Sequence, residues 1–202
     1  MIAELEAVAG VSVSRETFDK LQAYVALLSE EAKRQNLIAR STLETLWDRH
    51  ILDSAQLVRF APVGRPAWLD IGSGAGLPGV VVACLTGGPV TLVEPRKLRA
   101  EFLHSVCESL LLNATVCCSK VERLTGAFDV ITARAVAPLG RLLHLSHHLS
   151  TTKTVWALPK GRSAADELAE ASLAWQGTFH VERSVTDPQS FVIVGTEVRA
   201  KA

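Results

Sequence analysis

The chain of 202 residues carries 21 Lys and Arg against 21 Asp and Glu, and 48% of its residues are hydrophobic. This length supports one large folded domain, or one domain with an extension. The balanced charge excludes a protein that is basic throughout, so a nucleic-acid partner would have to meet a local basic patch. No apolar stretch approaches the roughly 20 residues of a membrane-spanning helix, and we expect no membrane partner.

The first sixty residues predict helices. After Ser14, a good N-cap, apolar residues recur at three- and four-residue steps, at Phe18, Leu21, Val25 and Leu28. The capping-box pattern Ser41–Glu44 predicts the start of a second helix. Proline and glycine then break the pattern at 62–66. We therefore expect residues 1–64 to form an N-terminal helical cap and residues 65–202 to form the main domain.

From Ala67 onward the sequence alternates between predicted strands and helices. Apolar strands are predicted at 67–71, 89–93, 114–118, 128–133 and 154–158, and helices at 78–85, 97–111, 138–146 and 163–174. Alternation of this kind predicts a doubly wound α/β fold, with a mostly parallel sheet covered on both faces. Two β-rich runs at 178–185 and 190–196, separated by Asp187-Pro188, predict a closing antiparallel hairpin.

The stretch Trp68–Gly79 is the most informative part of the chain. An apolar strand that carries Asp70 is followed by four glycines, at positions 72, 74, 76 and 79. Glycine adopts positive φ angles and lets another group approach the backbone closely. The helix that follows presents its N-terminal N–H groups to the same space and favours an anionic group there. The pattern predicts a site for a nucleotide-type cofactor.

The glycine loop fits two classes of enzyme. Gly74-x-Gly76-x-x-Gly79, with Glu94 after the next strand, matches the dinucleotide fingerprint of NAD(P)-dependent oxidoreductases. The same loop, read from Asp70, matches the acidic-glycine signature of S-adenosylmethionine-dependent methyltransferases. Asp70 before the first glycine favours the methyltransferase, as do the closing hairpin and the lack of length for a second large domain.

Several sequence blocks resemble one methyltransferase family more closely. They are Asn36-Leu37, Arg49-His50-Ile-Leu-Asp53-Ser54, Leu69–Gly79, Val121-Glu122, Arg134-Ala-Val-Ala and Lys160-Gly161. In this order they resemble the bacterial 16S rRNA guanine-N7 methyltransferases of the glucose-inhibited division protein B family. The resemblance implies a seven-stranded class I methyltransferase sheet and S-adenosyl-L-methionine as cofactor. It also implies that the partner is 16S rRNA or the small ribosomal subunit, and that the product is 7-methylguanosine. With these we expect a cytoplasmic monomer.

The resemblance also implies roles for particular residues. Glu94 is placed for the ribose hydroxyls, although the family has a different sequence around this position. Val121 and Glu122 match a pair that frames the adenine, and Arg134 matches an arginine of the cofactor site. The remaining cofactor residues belong to the glycine loop: Gly72, Gly74, Gly76 and Leu77.

Three further residues are candidates for contact with RNA: Arg49, His50 and Lys160. We expect Arg49 to pair with Asp53 at i,i+4, and His50 to lie beside Ser54 on the same helix. Pro159 predicts an extended and exposed Lys160. Ordinary surface or packing roles explain these residues nearly as well.

No acid–base pair, nucleophile motif or metal-ligand spacing accompanies the glycine loop, so no catalytic side chain and no metal are predicted. Such a site suits guanine N7, because its in-plane lone pair carries no proton and attacks a methyl group without a general base. A third interpretation is an RNA-binding assembly factor that retains a cofactor fold without turnover.

Overall fold

A computed structural model of the chain describes residues 1–39, 42 and 45–201. Seven strands form one sheet: β1 (Trp68–Ile71), β2 (Val90–Val93), β3 (Ala114–Cys117), β4 (Val130–Ala133), β5 (Val155–Lys160), β6 (Trp175–Arg183) and β7 (Phe191–Ala200). The helices are α1 (Ile2–Ala9), α2 (Arg15–Glu31), α3 (Asp53–Ala55), α4 (Gly79–Thr86), α5 (Lys97–Ser109), α6 (Leu139–Ser146) and α7 (Ala164–Ala171).

The strand order is β3-β2-β1-β4-β5-β7-β6. The first five strands are parallel, whereas β7 runs antiparallel to both β5 and β6. The predicted doubly wound sheet with a closing antiparallel hairpin is confirmed. The hairpin strands lie at Trp175–Arg183 and Phe191–Ala200, so the predicted ranges 178–185 and 190–196 were each too short at the outer end.

Both faces of the sheet are covered, which explains why the central strands are continuously apolar. All four residues of β1 and all four of β4 are buried. One face packs against α1, α2, α4 and α5, and the other against α6 and α7. A parallel sheet needs such cover on both sides because its strands have no solvent-facing row.

The N-terminal helices share the core of the first face. Ser14 caps α2 by accepting the Thr17 N–H, as the sequence predicts. Phe18, Leu21 and Leu28 are buried in the same cluster as the side chains of α4. The division into a cap of residues 1–64 and a main domain of residues 65–202 stays a prediction.

The segment before the sheet is helical but irregular. It consists of a π-helical turn at Trp47–Leu52, the short α3, and a 3₁₀ turn at Gln56–Phe60. The capping box proposed for Ser41–Glu44 lies, apart from Thr42, outside the described residues. Among the described residues, no helix is long and apolar enough to cross a membrane.

Candidate cofactor site and adjoining clefts

The sheet brings three predicted site segments to one edge. Ile71, the last residue of β1, lies opposite Val93 of β2 and Ala133 of β4. Gly72, Glu94 and Arg134 therefore follow three adjacent strands at the same level. The carboxyl edge of an open α/β sheet, where the strand order reverses, is the usual place for a ligand. Here the order reverses between β1 and β4.

The glycines of the loop have different reasons to be glycine. Gly72 has φ +66°, and a Cβ atom there would lie 2.6 Å from Cγ2 of Val136 in the loop after β4. Gly76 has φ +95°, and its Cβ would lie 2.6 Å from Val80 inside the core. Gly74 has φ +55°, and a Cβ there would make only ordinary contacts of 3.7 Å, with the Arg99 guanidinium and the Gly72 carbonyl. Of these three, Gly74 is the one that leaves room for a ligand.

Asp70 lies beneath the loop and does not face its mouth. Its side chain is fully buried, and Oδ2 accepts the Gly79 N–H (3.0 Å) at the start of α4. Oδ1 is buried without a hydrogen-bond partner in the described structure. Burial raises the pKa of Asp70 to about 7, and the hydrogen bonds and Arg134 offset only part of that effect. Asp70 thus fixes the loop to α4 and leaves one unpaired oxygen below it.

Tyr24 of α2 holds the loop from the other side, and the sequence analysis missed it. Its hydroxyl donates to the Ala75 carbonyl (2.8 Å) in a fully buried contact. Burial raises the pKa of Tyr24 well above its usual value, so the hydroxyl keeps its proton and remains a donor. A tyrosine on the apolar stripe of an N-terminal helix was a weak signal, because core packing explains it equally well.

Glu94 links the loop to the segment after β2. One carboxylate oxygen accepts the Gly74 N–H (2.9 Å) and the other accepts the Arg96 N–H (2.8 Å). An ionised carboxylate has about four acceptor positions, so each oxygen keeps capacity for a ligand hydroxyl. The 3₁₀ turn after β3 buries Val121 and leaves Glu122 exposed. Leu77 is buried in the core, which favours a packing role over direct contact with a ligand.

Two clefts open beside the loop and share Asp53, Arg134, Ala135 and Ser190 as a common wall. The larger cleft, of about 510 Å³, lies between the loop after β4, the end of β5 and the start of β7. The smaller cleft, of about 320 Å³, lies between the π-helical segment and the loop that joins β6 to β7. Val136, which touches Gly72, lines the larger cleft, so the cleft adjoins the glycine loop.

Arg134 connects the two clefts through a polar network. Its guanidinium donates to Nδ1 of His50 (3.2 Å) and lies 3.6 Å from Oδ2 of Asp53. Arginine has no acceptor, so Nδ1 must accept and Nε2–H of His50 then donates to the Thr42 hydroxyl (2.9 Å). Burial, together with Arg134 and Arg49, lowers the pKa of His50 to about 4. The imidazole is therefore neutral at physiological pH.

Arg49 does not pair with Asp53, so that expectation was wrong. Its guanidinium donates to Oδ2 of Asp187 (2.8 Å) in the loop between β6 and β7. The reason is the π-helical turn, whose wider i→i+5 geometry removes the α-helical alignment of positions four residues apart. Ser54 is buried and its hydroxyl has no hydrogen-bond partner in the described structure, so it does not hydrogen-bond to His50.

Lys160 is not exposed, contrary to the prediction from Pro159. Its side chain is 10% exposed, and Nζ donates to Oε2 of Glu167 (2.7 Å) and to the Ala137 carbonyl (2.9 Å). β5 continues through Pro159 because it pairs with β7 up to Lys160, opposite Phe191. Burial alone would raise the pKa of Glu167, but hydrogen bonds from Lys160, Ser163 and Leu139 lower it. Both charges line the larger cleft.

The residues at this edge fit a nucleotide-type cofactor. The loop leaves room at Gly74 and has a carboxylate with spare acceptor capacity at Glu94. Arg134, which follows β4 on the other side of β1 from Glu94, supplies a cation. In the part of the chain that the structure describes, no three His, Cys, Asp or Glu side chains form a group suited to a metal ion.

The hairpin loop is the part of the site that the sequence analysis missed. Asp187 holds Arg49, and Ser184 and Thr186 donate to Oδ1 of Asp53 (3.4 and 3.0 Å). Asp187-Pro188 was interpreted only as a turn between strands. The signal available was a run of short polar residues in that turn, which is common in any exposed hairpin.

Sequence comparisons identify the family. The family model GidB, described as rRNA small subunit methyltransferase G, matches residues 17–190. The protein named "Ribosomal RNA small subunit methyltransferase G" from Zymomonas mobilis subsp. mobilis is 46% identical over 200 residues, covering 95% of this chain and 90% of that protein. Its namesake from Rhizorhabdus wittichii is 48% identical over 194 residues, covering 94% of this chain and 89% of that protein.

Solved structures agree on the fold at low sequence identity. An S-adenosylmethionine-dependent methyltransferase from Aquifex aeolicus superposes with a TM-score of 0.61 at 13% identity, covering 76% of this chain and 93% of that one. The ribosomal protein L11 methylase of Lactobacillus delbrueckii subsp. bulgaricus gives 0.60 at 13% identity, covering 76% and 79%. The sheet is that of the class I methyltransferases, and this chain belongs to the rRNA small subunit methyltransferase G family.

Proposed function

We propose that this protein transfers a methyl group from S-adenosyl-L-methionine to N7 of a guanine in the 16S rRNA of the small ribosomal subunit. The observation that carries the proposal is the junction of the glycine loop with the larger cleft, through the contact of Gly72 with Val136. A cofactor on the loop and a base in the cleft would then be neighbours. Membership of the rRNA small subunit methyltransferase G family supports the RNA substrate.

The cofactor would be held mainly by backbone and by two charged groups. Gly72 and Gly74 would contact the cofactor through their backbone, with room at Gly74, and Glu94 would offer its carboxylate to ribose hydroxyls. Val121 and Glu122 would frame the adenine, while Arg134 lines the adjoining clefts. S-adenosyl-L-methionine, when bound, supplies a methyl group on a positively charged sulfur.

The protein's own contribution is to position guanine N7 in line with the methyl group. N7 of guanine has a free lone pair, so no side chain needs to remove a proton before attack. Aligning the nucleophile with the methyl group is an effect that supplies roughly 7–11 kcal/mol. The buried anchors Tyr24 and Asp70 keep the loop in place, and the Lys160–Glu167 pair fixes the wall of the larger cleft without adding net charge.

The RNA must present an accessible base. In an A-form helix the N7 edge faces a deep, narrow groove that side chains do not reach, so the target guanine lies in a loop or is turned out of its stack. Arg49, which is half-exposed beside the smaller cleft, would contact RNA phosphate. His50 and Lys160 are already hydrogen-bonded to other side chains of the protein. They would therefore shape the walls of the clefts that RNA enters. We further propose that the protein acts as a cytoplasmic monomer.

Labelled methyl transfer tests the proposal. Small ribosomal subunits or their RNA are incubated with the protein and methyl-labelled S-adenosyl-L-methionine, and the label is mapped by nuclease digestion. We expect 7-methylguanosine at one position. Label in a small metabolite with RNA unlabelled would contradict the proposal. Binding of NAD(P), but not of S-adenosyl-L-methionine, would favour the oxidoreductase.

Two glycine variants distinguish a loss of cofactor binding from a loss of folding. Gly74→Asp places a negative charge beside Glu94 at a position without close contacts and should abolish cofactor binding. Gly87→Asp is the matched control, since Gly87 has nearly the same φ (+58°) and no atom within 4 Å of its Cβ position, but lies at the far end of α4. Arg134→Ala should also lose turnover. Rates unaffected by Gly74→Asp would place the cofactor elsewhere.

A further inference from the structure

Asp53 has two carboxylate oxygens in different situations. Oδ1 accepts from the Gln56 side-chain amide (2.8 Å), the Thr186 hydroxyl (3.0 Å) and, more weakly, the Ser184 hydroxyl (3.4 Å). Among the described residues, Oδ2 accepts no hydrogen bond and forms an ion pair with an Arg134 nitrogen at 3.6 Å, which is beyond hydrogen-bond distance. The carboxylate is thus held rigidly by one oxygen while the other keeps its acceptor positions.

The side chain of Asp53 lines the place where a base would enter. Asp53 belongs to the wall that the two clefts share, and its side chain remains 18% exposed. The larger cleft continues to Val136, which touches the glycine loop, and to the apolar surfaces of Pro138, Pro159 and Phe191. Apolar walls with few convergent polar groups are what a turned-out base requires.

The donors and acceptors on each base determine which base such an oxygen binds. The Watson–Crick edge of guanine presents two adjacent donors, N1–H and the N2 amino group. Adenine and cytosine present an acceptor beside their amino group, and a carboxylate would repel it. An acceptor-only group fixed at the mouth of the cleft therefore favours guanine over both.

On the basis of the function proposed above, we propose that Oδ2 of Asp53 binds the N1–H and N2 amino edge of the target guanine in the larger cleft. The interaction strengthens during the reaction, because methylation at N7 makes the base cationic and its N–H groups stronger donors. A contact that is stronger in the transition state than in the ground state lowers the barrier as well as selecting the base. Asp53 is then a specificity residue of the reaction.

The test is a double-mutant cycle that combines a variant of the protein with a variant of the RNA substrate. The guanine that the wild-type protein methylates is replaced by inosine, which lacks the N2 amino group, in RNA assembled by ligation. The second change is Asp53→Asn, which keeps Oδ1 as an acceptor for Gln56 and Thr186 but turns Oδ2 into a donor. For the wild type we expect kcat/KM to be roughly 10- to 100-fold lower on inosine. For Asp53→Asn we expect lower activity on guanine and a guanine-to-inosine ratio well below that of the wild type.

Comparing ratios removes other differences between the bases. Any intrinsic difference in N7 reactivity is the same for both proteins and cancels in the cycle. Ser184→Ala is the matched control, since it removes a partner of Oδ1 and leaves Oδ2 unchanged. It should retain the wild-type ratio even if its stability falls.

Several results would overturn the inference without touching the proposed function. Equal rates of the wild type on guanine and inosine would do so, and this measurement needs no variant to fold. An Asp53→Asn protein that keeps the wild-type ratio would show that Asp53 only anchors the hairpin loop. Absence of methyl transfer to any RNA by the wild type would instead reject the proposed function itself.

Discussion

The glycine-loop side of the sheet edge and the cleft side are built in opposite ways. On the loop side, buried and part-buried side chains hydrogen-bond to the backbone of the loop, as Asp70 does to Gly79 and Glu94 to Gly74. On the cleft side, charged side chains pair with each other, as Arg49 does with Asp187. The first construction is rigid, and the second depends on half-exposed charges. The loop side should therefore respond strongly to single substitutions and the cleft side weakly.

The largest expected effect is on the loop side. Gly76→Ala combines a strained φ of +95° with a Cβ contact of 2.6 Å to buried Val80, a stiff β-branched side chain. We expect the free energy of unfolding to fall by about 3 kcal/mol. Chemical denaturation followed by fluorescence measures it. Gly87→Ala, at φ +58° in open space, should lower the free energy of unfolding by only about 1 kcal/mol. Equal losses in the two variants would show that the packing contact is not the cause.

A second effect on the loop side depends on pH. Because burial raises the pKa of Asp70 to about 7, the folded protein binds a proton that the unfolded chain has released. This contribution to stability is complete below the unfolded pKa and is lost as the pH rises through 7. From about pH 5 to about pH 7, the wild type should lose roughly 2 kcal/mol relative to Asp70→Asn. Parallel stability profiles for the two proteins would show that Asp70 is ionised throughout.

The smallest expected effect is on the cleft side. The Arg49–Asp187 pair is 2.8 Å long, but Arg49 is 52% exposed. A double-mutant cycle with Arg49→Ala and Asp187→Ala should give a coupling energy of about 0.2–1 kcal/mol that weakens with added salt. Thermal denaturation at low and high salt measures it. A coupling as large as the loss in Gly76→Ala would erase the contrast between the two sides.

The same contrast explains what the sequence could predict. Asp70, the glycines and Glu94 lie at the ends of neighbouring strands, and their spacing was enough to predict the cofactor loop. The alternation of apolar strands with helices was enough to predict the parallel sheet. Arg49 was assigned the wrong partner, since nothing in a sequence indicates that residues 47–52 wind as a π-helix. The burial of Lys160 depends on Glu167 in α7, a contact between separate elements that no local pattern reveals.

The bridge from Asp53 to Ser184 and Thr186 has a consequence for the order in which the protein is completed during synthesis. The shared wall of the clefts has to wait until residues 184–190 are available. Because a domain generally folds as a unit during synthesis, the substrate clefts are complete only after the hairpin loop has been made. A nascent chain would therefore not present a finished base-binding cleft to the ribosomal RNA around it.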